Sequence, residues 1–339
     1  MSSTTSHLRS IDFLRGFAAL SVCLFHFTTH FLSEWNPLRV PFEHGHLGVE
    51  LFFVISGFII PYSLWRKKYT ISGFGKFMKA RLLRLHPAYI GSVLIMVGVV
   101  LMPNILPEPF RKPASIDWGN VLLHFFYLPP FVGQEWLNII YWSLAAELQY
   151  YVLLGLGFSL ITHPNKWIIY TVLAIFASSA FWNISGTVTF LTGQPFCNNN
   201  NFVFFYALLF IPGIGLFLHF IQKITTWEFL ILLALNCFLL YLQRDEWSRP
   251  MAVLVACGII HFGGLKTKAT DFLGKISYSL YLIHTPIGFA FLGLFTYYVK
   301  DELQRTGLVL AAISLSLFAS YWYHRLVELP TQEWAKRVS

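Results

Sequence analysis

Charge is scarce in this chain. Asp, Glu, Lys and Arg make up only 12% of its 339 residues, 56% are hydrophobic, and mean hydropathy is +0.59, whereas soluble domains are roughly a quarter charged. That composition excludes an ordinary water-soluble globule. Cysteine is also rare: Cys23, Cys197, Cys237 and Cys257 are scattered without CxxC spacing, which argues against a disulfide framework or a zinc site and for buried, inert thiols. A repeat of fixed period is missing. Long polar segments are missing too. The stretches near 105–138 and 185–201 are too short to build a core of their own, and the Asn-rich run at 197–202 reads as a turn. A single integral-membrane domain over residues 1–339 is therefore expected, with no separate soluble domain. The basic residues form no arm interleaved with aromatics, so nucleic acid is not an expected partner.

Long apolar runs fill the space that charge leaves. Leu-, Phe- and Ile-rich stretches of the length needed to cross a ~30 Å hydrocarbon core lie near 11–32, 48–64, 88–104, 139–161, 166–184, 202–221, 226–242, 249–265, 274–298 and 307–325. The fold class is all-α: a polytopic membrane protein of about ten transmembrane helices. The first stretch has no small-residue cleavage site and carries polar residues, so it is read as a retained span. Lys and Arg set the orientation. With a cytoplasmic N-terminus, sixteen of the 24 fall on inside segments, Arg9, Lys166, Lys266 and a group from Arg66 to Arg84 among them. Seven, including Arg39, Arg111, Lys112, Arg244 and Arg249, fall outside, and Arg15 lies within a span. This asymmetry places both termini in the cytoplasm. The net charge of +8 is mostly that signal, with attraction to anionic membrane lipids added.

Against this background, the polar residues inside spans stand out. An ionisable side chain in the bilayer costs at least ~3 kcal/mol unless it faces protein or water. Arg15 and His26 are eleven residues apart, three helical turns plus ~20°, so they share a face, roughly 16 Å apart along the axis. They line one path at two depths. Asp12 sits one turn before Arg15, placed to pair with it. Glu50 in "GVELFFVISGFII", Glu147 in "YWSLAAELQYY" with Trp142 and Ser143 one turn earlier, and His284 in "ISYSLYLIHTPI" are polar contacts between helices or the lining of a chamber within the bundle. Arg81 and Arg84, three apart at the start of the third span, can converge on one anion, phosphate foremost. Lys76 and Lys79 read as no more than the positive flank of that span.

In order and spacing, these segments resemble acyltransferase family 3, bacterial integral-membrane O-acyltransferases that modify exported or surface carbohydrates, including O-antigen, exopolysaccharide and Nod-factor acetylases. The resemblance extends over nearly the whole chain. Its most specific motif is an arginine, ten residues and a histidine, present as Arg15 to His26. "GVELFFVISGF", the Arg81 and Arg84 pair before "LHPAY", "YWSLAAE" and "GKISYSLYLIHTPI" support it. Many relatives carry Asp where Glu50 stands. Some also carry a C-terminal extracytoplasmic hydrolase-like domain that is not expected here, so acceptor selection is expected from the bundle and its loops.

The resemblance implies acetyl-CoA as cytoplasmic acyl donor, no metal, and an acceptor hydroxyl on a carbohydrate, lipid-linked or free, at the outer face of the bacterial cytoplasmic (inner) membrane. Arg81 and Arg84 would then hold the donor's phosphates at the cytoplasmic mouth, and Arg15 would continue that positive lining inward. His26 would act as general base, since a histidine pKa lies near working pH. Direct transfer is preferred, with an acetyl-histidine intermediate as the competing route. Glu147 would orient His26 or bind sugar. Trp142, Ser143, Glu50 and His284 would contact the acceptor, Trp142 as a platform for a sugar ring. A proton-coupled transporter or a flippase of a lipid-linked sugar is the alternative class.

Overall fold

The structure is a computed structural model that describes residues 2–106, 114–192, 198–263 and 267–338, without the side chains of residues 2–9 and 199. Arg111, Lys112, Cys197, Lys266 and the side chain of Arg9 lie outside the described residues. Among the described residues the regular structure is entirely helical. Lipid offers no partners to backbone N–H and C=O groups, and a helix satisfies them internally.

Every expected apolar stretch contains helix. α1 (Ser2–Phe31), α2 (Gly48–Arg66), α3 (Phe74–Leu101), a short outer α4 (Trp118–His124) and α5 (Tyr141–Ile161) form the first half. α6 (Lys166–Ser178) and α7 (Ile184–Thr192) replace the single span expected at 166–184 by a pair bent through 67°. α8 (Ala207–Phe220), α9 (Thr226–Arg244), α10 (Ser248–Phe262), α11 (Lys268–Phe295), α12 (Glu302–Tyr323) and α13 (Leu329–Val338) follow. Among the described residues, eight helical segments are long and apolar enough to cross a membrane. α10, with 15 residues, is a short apolar helix below that length. Large apolar side chains remain exposed around the bundle, including Ile231, Phe238 and Phe318. In lipid that is the expected outer face.

Two packings position the site. α1 lies along α11, and Gly16 and Gly274 let the backbones meet: a Cβ on Gly16 would stand 2.7 Å from the Gly274 nitrogen, and one on Gly274 would stand 2.5 Å from the Asp12 carbonyl oxygen. Small residues at such crossings permit close van der Waals contact where no hydrophobic force drives helices together. The two helices run parallel, and ten residues further along each of them His26 meets His284. The second packing sets α13 back against α3, where Thr331 donates to the Arg84 carbonyl at 3.3 Å. α13 is anchored through Glu328, at the end of a π-helical turn, His324–Glu328. This buried carboxylate accepts from Ser279 at 2.6 Å and Gln332 at 2.8 Å and lies 2.9 Å from His324 Nδ1. The starts of α1, α3 and α11 and the whole of α13 thus share one end of the bundle.

Candidate active site

Arg15 on α1 and Arg81 and Arg84 on α3 converge at that end, on the wall of a cavity of about 520 Å³ between α1, α2, α3, α5 and α11. Ser56, Glu147, Tyr278 and Tyr281 line its deeper part. Arg81 sits over the rings of Phe77 and Tyr151, 5.6 and 5.5 Å from their centroids, which holds the guanidinium while leaving its N–H edges available. Among the described residues, the ion pairs within 4 Å are Lys166–Glu228, Arg249–Glu50 and His324–Glu328. None neutralises an arginine of the cavity. Asp12 does not pair with Arg15 at that range. Glu147, the one carboxylate lining the cavity among the described residues, accepts from Ser56 Oγ at 2.6 Å.

A second cavity, about 570 Å³, opens beside the first and shares Ser63, Lys67, Arg81 and Arg84 with it. Lys68, Lys76 and Lys336 also line this vestibule, and no acidic side chain does so among the described residues. The turn between α2 and α3 builds it. Lys68 adopts φ +50, and Tyr69 donates to the Gly155 carbonyl at 2.8 Å, fixing the turn to α5. Some loss of hydration at the vestibule wall, with Arg81 and Lys76 nearby, lowers the pKa of the exposed Lys67 below the ordinary lysine value. Such a field attracts polyanions. Lys67, Lys68 and Lys336 carry no signal beyond the positive-inside count. Lys76 had read as a mere flank, but it faces the vestibule, whereas Lys79 is not among the lining residues.

The histidines occupy a different depth. Phe52 and Tyr281, ring centroids 5.6 Å apart, bound the inner cavity. His284 lies 6.1 Å behind Tyr281, and His26 lies 5.4 Å beyond His284, ring centre to ring centre. Neither histidine lines the cavity. His26 is buried to 9% exposure, packed against Phe25, His30 and Phe289, and its Nδ1 has no hydrogen-bond partner. His284 is fully buried. Ser143 reaches the cavity wall but is held by Tyr281 OH at 2.6 Å. Trp142 does not reach it: it stacks on Tyr206 at 5.0 Å, with Phe53 edge-on. Glu50 is turned away as well, 3.2 Å from Arg249 Nε. Arg249, counted from sequence as an outer loop cation, is the half-buried partner of that carboxylate near the start of α10. The structure therefore gathers Arg15, Arg81, Arg84, Glu147 and Ser143 on one cavity. It sets His26 and His284 behind a ring partition, and Trp142 and Glu50 elsewhere.

A family model for an acyltransferase domain matches residues 8–325, which takes in the inner cavity, the histidine pair and all of the vestibule lining except that from α13. The chain belongs to acyltransferase family 3. Among its relatives, O-acetyltransferase OatA of Staphylococcus aureus strain NCTC 8325 is 26% identical over 96% of this chain and 57% of its own length. OatA of strain MRSA252 matches to the same extent. The chain thus spans a little over half the length of these curated relatives. No solved structure matches it. In this acyltransferase-family chain the arginine of the first helix lies on the basic cavity, and the histidine lies further along the same helix, outside the cavity lining.

Proposed function

We propose that the protein is a membrane O-acyltransferase that moves an acetyl group from acetyl-CoA, bound in the basic cavities, to a hydroxyl of an exported or surface carbohydrate reached from the opposite end of the bundle. The observation that carries this reading is the pair of joined cavities: a cationic vestibule of about 570 Å³ that shares Arg81 and Arg84 with a ring-lined space of about 520 Å³. That shape and charge fit a polyanionic nucleotide with a slender neutral arm. Desolvating the phosphates in lipid would be prohibitive, so they stay at the mouth, held by Lys67, Lys68, Lys76, Arg81 and Arg84 through charge-assisted hydrogen bonds. Arg15 continues the positive lining. The names of the relatives supply acetyl as the group, and the excess of Lys and Arg at the vestibule end supports a cytoplasmic position for it and for both termini.

At the reacting centre, the acceptor hydroxyl attacks the thioester carbonyl. A C–O bond forms and the C–S bond breaks. His26 takes the hydroxyl proton during attack and returns it to the departing thiolate, so charge and protons balance. Glu147, hydrogen-bonded to Ser56 among the arginines, acts on the donor side and offsets their charge. To reach His26, the donor arm displaces the Phe52 and Tyr281 rings. The decisive experiment supplies purified protein in liposomes with acetyl-labelled acetyl-CoA and a glycan extract. Label covalently attached to glycan is the expected result; movement of glycan across the bilayer without labelling would overturn the reading in favour of transport.

A further inference from the structure

We infer that His284 is the positioning residue for His26: it accepts the Nδ1 proton of His26 and so fixes the tautomer in which Nε2 is free to act as base. The inference rests on the assignment of His26 as base. Its own ground is the hydrogen-bond geometry of the two rings.

His284 Nδ1 lies 2.9 Å from the carbonyl oxygens of both Leu280 and Tyr281. Carbonyls only accept, so Nδ1 carries the proton, and in neutral His284 the other nitrogen, Nε2, holds a lone pair. That Nε2 is buried and has no partner. His26 presents the complementary gap. His30, His124 and His284 each set Nδ1 within 2.9 Å of the carbonyl four residues back, whereas His26 Nδ1 is buried and unpartnered. At 5.4 Å between ring centres, nitrogens turned toward each other are about 3 Å apart, hydrogen-bonding range. Histidine χ2 is a broad torsion, so a small ring rotation makes the bond.

Other acceptors are poorer. Phe25 and Phe289 offer only ring carbon to His26. His30 is close, but it is exposed, so its Nε2 is satisfied by water. His46 Nδ1 is also buried and unpartnered, but the His46 ring packs on Phe25 and His44, whereas His284 is in ring contact with His26 itself and its unmet lone pair carries the full desolvation cost. The arrangement performs the task of the aspartate in a serine-protease triad, orienting a histidine and setting its tautomer, with a neutral acceptor in place of the carboxylate.

The test combines kinetics with tautomer spectroscopy. In protein carrying ¹⁵N-labelled histidine, His26 should hold its proton on Nδ1 in the wild type and on Nε2 in His284→Ala. His284→Ala should lower turnover about 10- to 100-fold with KM for acetyl-CoA unchanged. His284→Gln, whose amide oxygen can accept the same bond, should recover much of the loss, which a purely structural role would not predict. His26→Ala combined with His284→Ala should be no slower than His26→Ala alone. Wild-type turnover with an unshifted tautomer in His284→Ala, or additive losses in the double variant, would overturn the inference. Full turnover by folded His26→Ala would instead remove the base assignment, while the tautomer measurement would still report on the pair.

Discussion

Arg15 is half-buried in the cavity wall, with no carboxylate within 4 Å among the described residues. A lipid anchor would need only a long cationic side chain, which lysine supplies by snorkelling. A donor-path residue needs the planar fork that binds phosphate or carbonyl at two points. Arg15→Lys should therefore cut acetyl transfer at least about tenfold at normal expression, the worth of one charge-assisted hydrogen bond, read as rate against acetyl-CoA concentration. Arg81→Ala and Arg84→Ala should raise KM more than they lower kcat, because ground-state phosphate binding is lost. Arg15, Arg81 and Arg84 were legible in the sequence because charge in or beside an apolar run has few bland explanations. Lys67, Lys68 and Lys336 were not, because a lysine at a helix end is already explained by orientation. The packing of Trp142 and Glu50 was hidden for the converse reason. Their partners, Tyr206 and Arg249, come from helices far along the chain, and spacing cannot reveal such pairings.

At the scale of the helix, α13 deserves a kinetic role. Its Gln332 and Lys336 line the vestibule, and its position depends on Glu328, which ties together Ser279, His324 and Gln332. Glu328→Ala removes that tie and leaves several polar groups unmet, at a cost of about 1–3 kcal/mol. The expected result is a raised KM for acetyl-CoA with little change in kcat, together with faster proteolysis of the C-terminal helix; unchanged values of both would show that α13 is held by its apolar contacts alone. Helix content and span positions followed closely from apolar run length. The 67° bend after Phe181 did not, because the 166–184 stretch is apolar enough for one helix. What breaks it is Trp182, extended at ψ 132, a local backbone choice that hydropathy does not record. The parallel register of α1 and α11 was also hidden, since it is set by two glycines that spacing rules treat as neutral.

Across the whole molecule, electrostatic attraction to the vestibule has a measurable signature. Lys67, Lys68 and Lys76 are exposed, so salt should screen them within a Debye length of about 8–10 Å. Donor KM should rise steadily with ionic strength, and replacing the three lysines by alanine should flatten that dependence. The pH response has a definite sign. A cation with a lowered pKa loses its charge at lower pH than an ordinary lysine, so Lys67 makes donor affinity fall early on the alkaline side, with full affinity kept below its pKa. Lys67→Arg should move that fall to higher pH, measured as KM through the alkaline range.

The Phe52 and Tyr281 rings have a consequence beyond the reaction. A bacterial membrane stores energy as voltage and a proton gradient, and moving one charge through 100 mV releases about 2.3 kcal/mol. A water-filled bore wide enough for a thioester arm would short-circuit that store. On the proposed reading, the two rings that separate the basic cavity from the histidines would break any water column between them and act as an electrical insulator while no donor is bound. Phe52→Ala should make donor-free liposomes containing the protein leak protons under an imposed potential, followed with an internal pH dye, at a rate the wild type does not approach. Catalysis across a membrane then has two requirements: a passage for the acyl group, and a plug that keeps the cell charged between turnovers.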